Sequence, residues 1–231
     1  VVDEDDNDIT TLNAEITNST SVMLTTVAGN PSAIGYVSLG SLSDDVKAVK
    51  VDGAEATPDN VKAGTYTVAR PFLLAYKDGS LSDVAQDFLS FIMSADGQKI
   101  ITEEGYISVE EGEAYTGSGM TGKIVLDGST SISPVMESLA EAYKAINPEV
   151  AVEIQQTGSG AGITSAIEGV CDFGMASRAL KDSEKAELVS TQIASDGIAV
   201  VVNNDNTLDD LTSDQIKNIY LGEITDWSEI K

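Results

Sequence analysis

The sequence predicts an α/β protein, because helix-like and strand-like segments alternate along its whole length. Several strand-like segments are continuously apolar rather than alternating, as in "GIAVVVNN" (197–204). Such runs are typical of strands that helices cover on both faces. At 231 residues the chain is long enough for one large domain or for two smaller lobes, each with its own core.

The helices are predicted from their start and stop signals. The clearest is "LTSDQIKNIYLGE", in which Thr212 is the N-cap, Gln215 completes a capping box and Gly222 ends the helix. Apolar residues at helical spacing predict the others. These other helices lie within 21–31, 80–93, 133–146 and 163–169.

The strands are predicted from apolar runs that lie between these helices. One stretch, 110–122, has Gly, Ser and acidic residues without periodicity, and we interpret it as a linker. The strand-like runs are 33–40, 46–53, 65–77, 122–128, 150–158 and 197–204.

Composition excludes several partners and chemistries. Acidic residues number 38 against 13 basic ones, and nucleic acid and anionic membranes both favour clusters of Lys and Arg. The sequence has no histidine and a single cysteine, Cys171, in a short apolar run where we expect it to be buried. Catalytic Ser-His-Asp and Cys-His sites and nearly every zinc site are therefore excluded. We expect no metal, no cofactor and no enzymatic activity.

Membrane and targeting signals are absent from the sequence as given. It contains no apolar run of about 18 residues, the length that a membrane-spanning helix needs. It opens on "VVDEDDND", which is not a signal peptide, so an exported native protein would have lost its targeting segment.

Two turns between a strand and a helix carry residues that suit an oxyanion. "GSTS" (128–131) and "TGSGAG" (157–162) each place hydroxyls and flexible glycine where a helix begins. The first N–H groups of a helix have no intrahelical partner, and the helix dipole is positive there. Such a turn binds anions without lysine. The alternative is that the hydroxyls merely cap their helices.

With "CDFGMASR" (171–178) added, these segments resemble a known family. Residues 128–230 closely resemble the N-terminal half of PstS-type phosphate-binding proteins, the substrate-binding components of phosphate ABC transporters. Residues 30–109 resemble the C-terminal half of the same family. The resemblance implies a two-lobed, periplasmic-binding-protein-like (type II) fold that buries one dehydrated phosphate between its lobes.

The resemblance also implies a set of phosphate-binding residues. Thr130 and Ser131 would donate hydroxyl and backbone N–H bonds, and Ser159 would donate from the second turn. Asp172 would accept a hydrogen bond from a protonated phosphate oxygen, which sulfate lacks near neutral pH. Ser177 and Arg178 would lie beside the site, although Arg178 could equally hold Asp172 in place.

The order of the two halves departs from the family, because the "GSTS" half comes second here. We therefore expect a circular permutation or a piece of a tandem array. Residues 50–195 would form lobe 1, and 1–49 with 196–231 would form lobe 2. The segments 65–77 and 193–204 would be the two crossover strands of a hinge.

A Gly-Ser-Gly-Thr-Arg segment, which supplies further phosphate donors in the family, is also absent. A site that lacks it would be open on one side. This absence leaves open an alternative function as a non-transport phosphate sensor or as a ligand-incompetent copy or fragment of a tandem protein.

The sequence thus predicts an extracytoplasmic solute-binding protein for phosphate uptake, lipid-anchored or secreted, at the cell surface or in the periplasm. Its expected partners are inorganic phosphate and the membrane permease of an ABC transporter, with no nucleic acid, and we expect a monomer. A receptor for sulfate or molybdate is disfavoured by Asp172. A phosphatase is disfavoured because no histidine, metal cluster or activated nucleophile is evident.

Overall fold

Short helices and strands alternate along the chain, and a computed structural model describes residues 8–109, 112–117 and 119–230. The predicted α/β class is confirmed. The helices are α1 Thr20–Gly29, α2 Pro58–Lys62, α3 Asp83–Met93, α4 Ala95–Glu103, α5 Ser133–Ile146, α6 Ser159–Glu168, α7 Asp182–Lys185 and α8 Ser213–Leu221. The strands are β1 Ile34–Ser38, β2 Val46–Val51, β3 Ala69–Tyr76, β4 Ile107–Ser108, β5 Thr121–Gly128, β6 Glu149–Gln155, β7 Phe173–Ala176, β8 Val189–Asn203 and β9 Asp210–Leu211.

The chain divides into two compact units. The central unit consists of Ser38–Ser41 and Ala69–Ile198. The terminal unit takes its described residues from 8–37, 42–68 and 199–230. The chain passes from one unit to the other inside both segments that we predicted as crossover strands, and their role as a hinge stays a prediction.

The observed division corrects our predicted lobe boundaries of 50–195 and 1–49 with 196–231. Residues 50–68 belong to the terminal unit rather than to lobe 1. The reason is that β2 pairs with β9 and with the last part of β8, and that Tyr66 is buried in the same core as these strands.

The central unit is built on a mixed sheet in the order β6–β5–β7–β3–β8, and β4 also pairs with β8. Strands β5, β6 and β7 are parallel to one another, whereas β3 is antiparallel to both β7 and β8. The carboxyl ends of the three parallel strands therefore lie at one edge of the sheet. The amino end of β3 lies at that same edge.

Helices cover both faces of this sheet, as its continuous apolar runs predicted. Successive residues of β3 face opposite sides of the sheet, and both sides are buried. Phe72 and Leu74 pack in one core, and Leu73 and Ala75 pack in the other. Helices α3, α4 and α5 bury their apolar residues in the first core, and α6 buries Ile163 in the second.

The segment 110–122, predicted as a linker, is docked on the central unit where the structure describes it. Residues 110, 111 and 118 lie outside the described residues. The Gly112 N–H donates to the Met93 carbonyl at 3.1 Å, and the Tyr115 N–H donates to Asp96 Oδ2 at 2.8 Å. Residues 121 and 122 already belong to β5. The segment is therefore not a free connection.

The terminal unit has a smaller core, formed by β2, β9, the last part of β8 and helix α8. Val49, Val200 and Leu211 are buried there. Helix α8 begins as predicted, because Thr212 Oγ1 accepts from the Gln215 N–H and Gln215 Oε1 accepts from the Thr212 N–H. It ends at Gly222 in the left-handed conformation, with φ of 79°.

We expect Thr212→Ala to lower the free energy of unfolding by about 1 kcal/mol, because it removes the cap of α8. Thr212→Ser keeps the hydroxyl and serves as the matched control. Trp227, the only tryptophan, packs against the core of the terminal unit, so its fluorescence during urea unfolding reports on this unit. If Thr212→Ala were as stable as the wild type, the hydroxyl of Thr212 would not stabilise α8 as its N-cap.

Candidate functional site

The candidate site lies at the edge of the central unit where the parallel strands end. The register pairs Asp127 of β5 with Gln155 of β6, and Gly128 of β5 with Met175 of β7. The loops that follow the three strands therefore leave from neighbouring positions. They contain the two hydroxyl-rich turns and Ser177, so the structure brings these predicted elements together.

One backbone hydrogen bond joins the two turns, and another joins the first turn to β7. The Gly158 N–H donates to the Gly128 carbonyl at 2.8 Å, and the Ser129 N–H donates to the Met175 carbonyl at 3.0 Å. A Cβ atom at Gly162 would lie 2.3 Å from the Asp127 carbonyl oxygen. The first turn of α6 can therefore rest against the end of β5 only because residue 162 is glycine.

Both helices that start here lack a side-chain cap. The N-cap residue of α5 is Ile132 and that of α6 is Gly158, with φ of 95°, and neither makes a side-chain capping bond. The first hydrogen bond of α6 runs from the Gly162 N–H to the Gly158 carbonyl. The side chain of the N-cap residue therefore caps neither helix.

Ser159 and Ser177 meet side by side, and both are half-buried. The Ser177 N–H donates to Ser159 Oγ at 3.2 Å, and the two hydroxyl oxygens are 3.3 Å apart. Either hydroxyl can donate to the other, so one proton of the pair remains to be donated. Thr130 and Ser131, in the other turn, are also half-buried. The Ser131 carbonyl accepts from the Tyr106 hydroxyl at 3.4 Å.

Arg178 follows Ser177 and pairs with Glu184 of α7. Its Nη1 and Nη2 donate to the two carboxylate oxygens at 2.7 and 2.8 Å, and Nη1 also donates to the Ala179 carbonyl. The Glu184 hydrogen bond raises the pKa of Arg178, and the same bond from Arg178 lowers the pKa of Glu184. The idea that Arg178 holds Asp172 is thus corrected, because its carboxylate partner is Glu184.

Asp172 does not lie with the other predicted residues. It precedes β7, whereas Ser177 follows it, so extended backbone separates the two by about 16 Å. Asp172 Oδ2 accepts from the Val125 N–H at 2.8 Å, and the Asp172 N–H donates to the Val125 carbonyl at 2.9 Å. The structure therefore places Asp172 on the amino side of β7, where it extends the pairing of β7 with β5, and not in the loop that follows β7.

Sequence reasoning missed two buried carboxylates near the site. Asp127 is 5 % exposed, and it accepts from the hydroxyls of Thr157 and Ser165 at 2.5 and 2.7 Å. Asp196 of β8 is fully buried and pairs with Arg70. The signal for Asp127 was present in the sequence, since a lone acid at the end of the apolar run "KIVLDG" has to find donors when it is buried.

Metal-binding clusters and membrane-spanning helices are both absent from the part of the chain that the structure describes. Within it, no group of three or more Cys, Asp or Glu residues is arranged to hold a metal ion. None of the described helices combines the length and apolarity that crossing a membrane requires.

Comparison with known proteins identifies the family. Residues 113–230 match the model of the PBP superfamily domain. "Phosphate-binding protein PstS 2" of Streptococcus agalactiae serotype V is 50 % identical over 218 residues, which are 94 % of this chain and 74 % of that protein. The protein of the same name from Streptococcus pneumoniae serotype 4 is 45 % identical, over 97 % of this chain and 77 % of its own length.

The chain belongs to the PstS-type phosphate-binding proteins. A crystal structure described as a phosphate ABC transporter, phosphate-binding protein from Streptococcus pneumoniae TIGR4 matches the fold with a TM-score of 0.78 and 45 % identity. The match covers 97 % of this chain and 88 % of that one. The PstS-type fold that we predicted is thus confirmed, whereas the circular permutation stays a prediction.

Proposed function

We propose that this chain is an extracytoplasmic solute-binding protein that captures inorganic phosphate for uptake by an ABC transporter. One observation carries the proposal. Two uncapped helix starts, rich in hydroxyls, are joined at one edge of the central unit. The relatives named phosphate-binding proteins support the choice of phosphate among the oxyanions.

In this proposal, neutral donors make most of the contacts with phosphate. Thr130 and Ser131 donate from the first turn, and Ser159 donates from the start of α6, where the helix dipole is positive. Ser177 lies beside Ser159 and adds a second hydroxyl. The chain carries a net charge of −25, so binding must come from local donors and not from the long-range field.

Arg178 supplies the positive charge closest to these hydroxyls in the sequence. Its guanidinium group is paired with the carboxylate of Glu184. This pairing fixes the orientation of the guanidinium and neutralises part of its charge. We therefore assign Arg178 a place beside the phosphate and Ser159 the main donor role. Asp172 is left out of the proposed site, because it precedes β7 and its carboxylate accepts from the Val125 N–H.

We further propose that the phosphate-bound protein interacts with a membrane permease and that it works as a monomer. We place it outside the cytoplasm, either secreted or lipid-anchored. Its proposed role is delivery of phosphate and not turnover. Release of product from a chromogenic phosphate ester would contradict this role.

The proposal is tested by isothermal titration of the chain with phosphate and, in parallel, with sulfate at neutral pH. We expect binding that is selective for phosphate. Ser159→Ala should weaken it about tenfold or more, because a hydrogen bond to a charged group is lost.

Ser90→Ala is the matched control for this experiment. Ser90 is an exposed serine of α3, and its hydroxyl donates to the Gln86 carbonyl of its own helix. We expect its phosphate affinity to equal that of the wild type. Equal affinity for phosphate and sulfate, or full affinity in Ser159→Ala, would contradict the proposal.

A further inference from the structure

Asp127 is a buried carboxylate that the proposed donor set does not use. It is 5 % exposed, and its two oxygens accept from Thr157 Oγ1 and Ser165 Oγ. Among the described residues no cation forms an ion pair with it, in contrast to Asp196, which pairs with Arg70. The charge of Asp127 is therefore held in place by hydroxyls but is not neutralised.

This charge lies directly behind the proposed phosphate site. Asp127 is followed by the first turn, and Thr157, which donates to it, is the first residue of the second turn. Ser165 ties the carboxylate to the next turn of α6. Since Ser159 comes two residues after Thr157, a phosphate bound by Ser159 would lie within about 10 Å of the carboxylate.

We propose that Asp127 is a specificity-determining residue, whose charge makes the site favour singly charged over doubly charged oxyanions. The inference rests on the proposed function. Coulomb repulsion from a fixed charge doubles when the anion carries two charges instead of one. At this distance, and at the effective dielectric constant of partly buried sites, each unit of charge changes affinity on the order of tenfold.

The other ionisable groups near Asp127 do not cancel this effect. The Cys171 thiol faces Asp127 from the loop before β7, and its pKa is raised to about 11, mainly by burial and further by Asp127 and Asp172. It is therefore neutral wherever phosphate changes from monoanion to dianion. Asp172, which bonds to Val125 two residues before Asp127, adds negative charge, and the Arg178–Glu184 pair stays ionised on the segment after β7.

The test compares phosphate affinity below and above the second pKa of phosphate, measured by titration calorimetry. Asp127→Asn keeps the shape of the side chain but removes the charge; its amide oxygen can accept from one of the two hydroxyls, and its NH2 group can donate to the other. We expect it to reduce the preference for the monoanion about tenfold relative to the wild type. A merely structural role for Asp127 would change both affinities by the same factor.

Two control variants separate charge from structure. Ser165→Ala removes one of the hydrogen bonds to Asp127 but keeps the charge, so the preference for the monoanion should persist. Asp87 lies on α3, and its carboxylate accepts hydrogen bonds from the hydroxyls of Tyr115 and Tyr143. Asp87→Asn removes this charge and should also leave the preference for the monoanion unchanged.

Each outcome bears on one of the two proposals. If the wild type binds phosphate and the ratio of its two affinities is unchanged in Asp127→Asn, the inference is overturned and the proposed function stands. If the wild type binds phosphate at neither pH, both are overturned. If Asp127→Asn does not fold, the two affinities of the wild type test the inference. Tighter binding of the phosphate dianion than of the monoanion would contradict a repulsive charge at Asp127.

Discussion

Replacing Gly162 by alanine is expected to lower phosphate affinity more than tenfold and to destabilise the central unit by about 1–3 kcal/mol. The added Cβ would lie 2.3 Å from the Asp127 carbonyl oxygen and 2.5 Å from Gly128 Cα. These are backbone atoms of β5, so no side chain can rotate away to make room. The first turn of α6 must therefore move off the strand, and Ser159 moves with it.

Gly160→Ala is the matched control, because residue 160 lies in the same turn of α6 and an added Cβ there meets no atom within 4 Å. We expect its affinity and stability to equal those of the wild type. Calorimetric titration with phosphate and thermal unfolding followed by circular dichroism measure the two effects. If Gly162→Ala bound phosphate as tightly as Gly160→Ala, the close contact of α6 with β5 would not matter for binding.

Replacing Arg70 by methionine is expected to lower the free energy of unfolding by about 3–5 kcal/mol, because it leaves a buried carboxylate without its cation. Arg70 Nε donates to Asp196 Oδ2 at 3.0 Å, and Asp196 is fully buried. Its other oxygen accepts from Ser38 Oγ at 2.7 Å and from the Leu39 N–H at 3.3 Å. Two neutral donors do not replace the charge of the guanidinium.

The loss of stability in Arg70→Met should depend on pH. Burial raises the pKa of Asp196 above its ordinary value, and Arg70 opposes this rise, so the pKa increases further in Arg70→Met. A carboxyl with a raised pKa in the folded state stabilises the fold at low pH, and this contribution is lost as pH rises through that pKa. The stability difference between Arg70→Met and the wild type should therefore shrink as the solution is acidified.

Lys123→Met provides the control for Arg70→Met. Lys123 pairs with Glu153 on the surface, and both side chains are 54 % exposed. Breaking such a pair changes stability by less than about 1 kcal/mol. Urea unfolding of both variants at several pH values makes the comparison. Equal, small losses in the two variants would contradict the importance of the buried pair.

Local signals predicted helix α8 well, because its boundaries depend on residues close in sequence. Thr212, Gln215 and Gly222 take the capping roles that the sequence assigned to them. Helix α4 was missed: its N-cap Ser94 is a clear signal, but it is followed by Gly97, a poor helix former. Gly97 is required because a Cβ there would lie 2.3 Å from the Phe91 carbonyl oxygen.

The sequence predicted some features of the candidate site and not others, for physical reasons. The hydroxyl-rich turns were found because an uncapped helix start is a local feature of the sequence. Asp172 was grouped with these turns because the sequence does not show that a short strand, β7, separates it from Ser177. The partner of Arg178 was missed because Glu184 lies beyond an irregular segment, and only the folded chain brings the two together.

The lobe boundary was misplaced for a similar reason. The predicted boundary at residue 50 falls inside β2, which spans Val46–Val51. Lys50 and Val51 pair with Asp210 and Leu211 of β9, which are remote in sequence, so the whole of β2 belongs to the terminal unit. Register between distant strands is not encoded in local patterns.

The most direct test of the central claim is a crystal structure of the chain grown with phosphate. We predict a tetrahedral ion at the edge where β5, β6 and β7 end, within hydrogen-bonding distance of Ser159 and of the turn that contains Thr130 and Ser131. A phosphate ion bound beside Asp172, on the amino side of β7, or no ordered ion at either place, would contradict it.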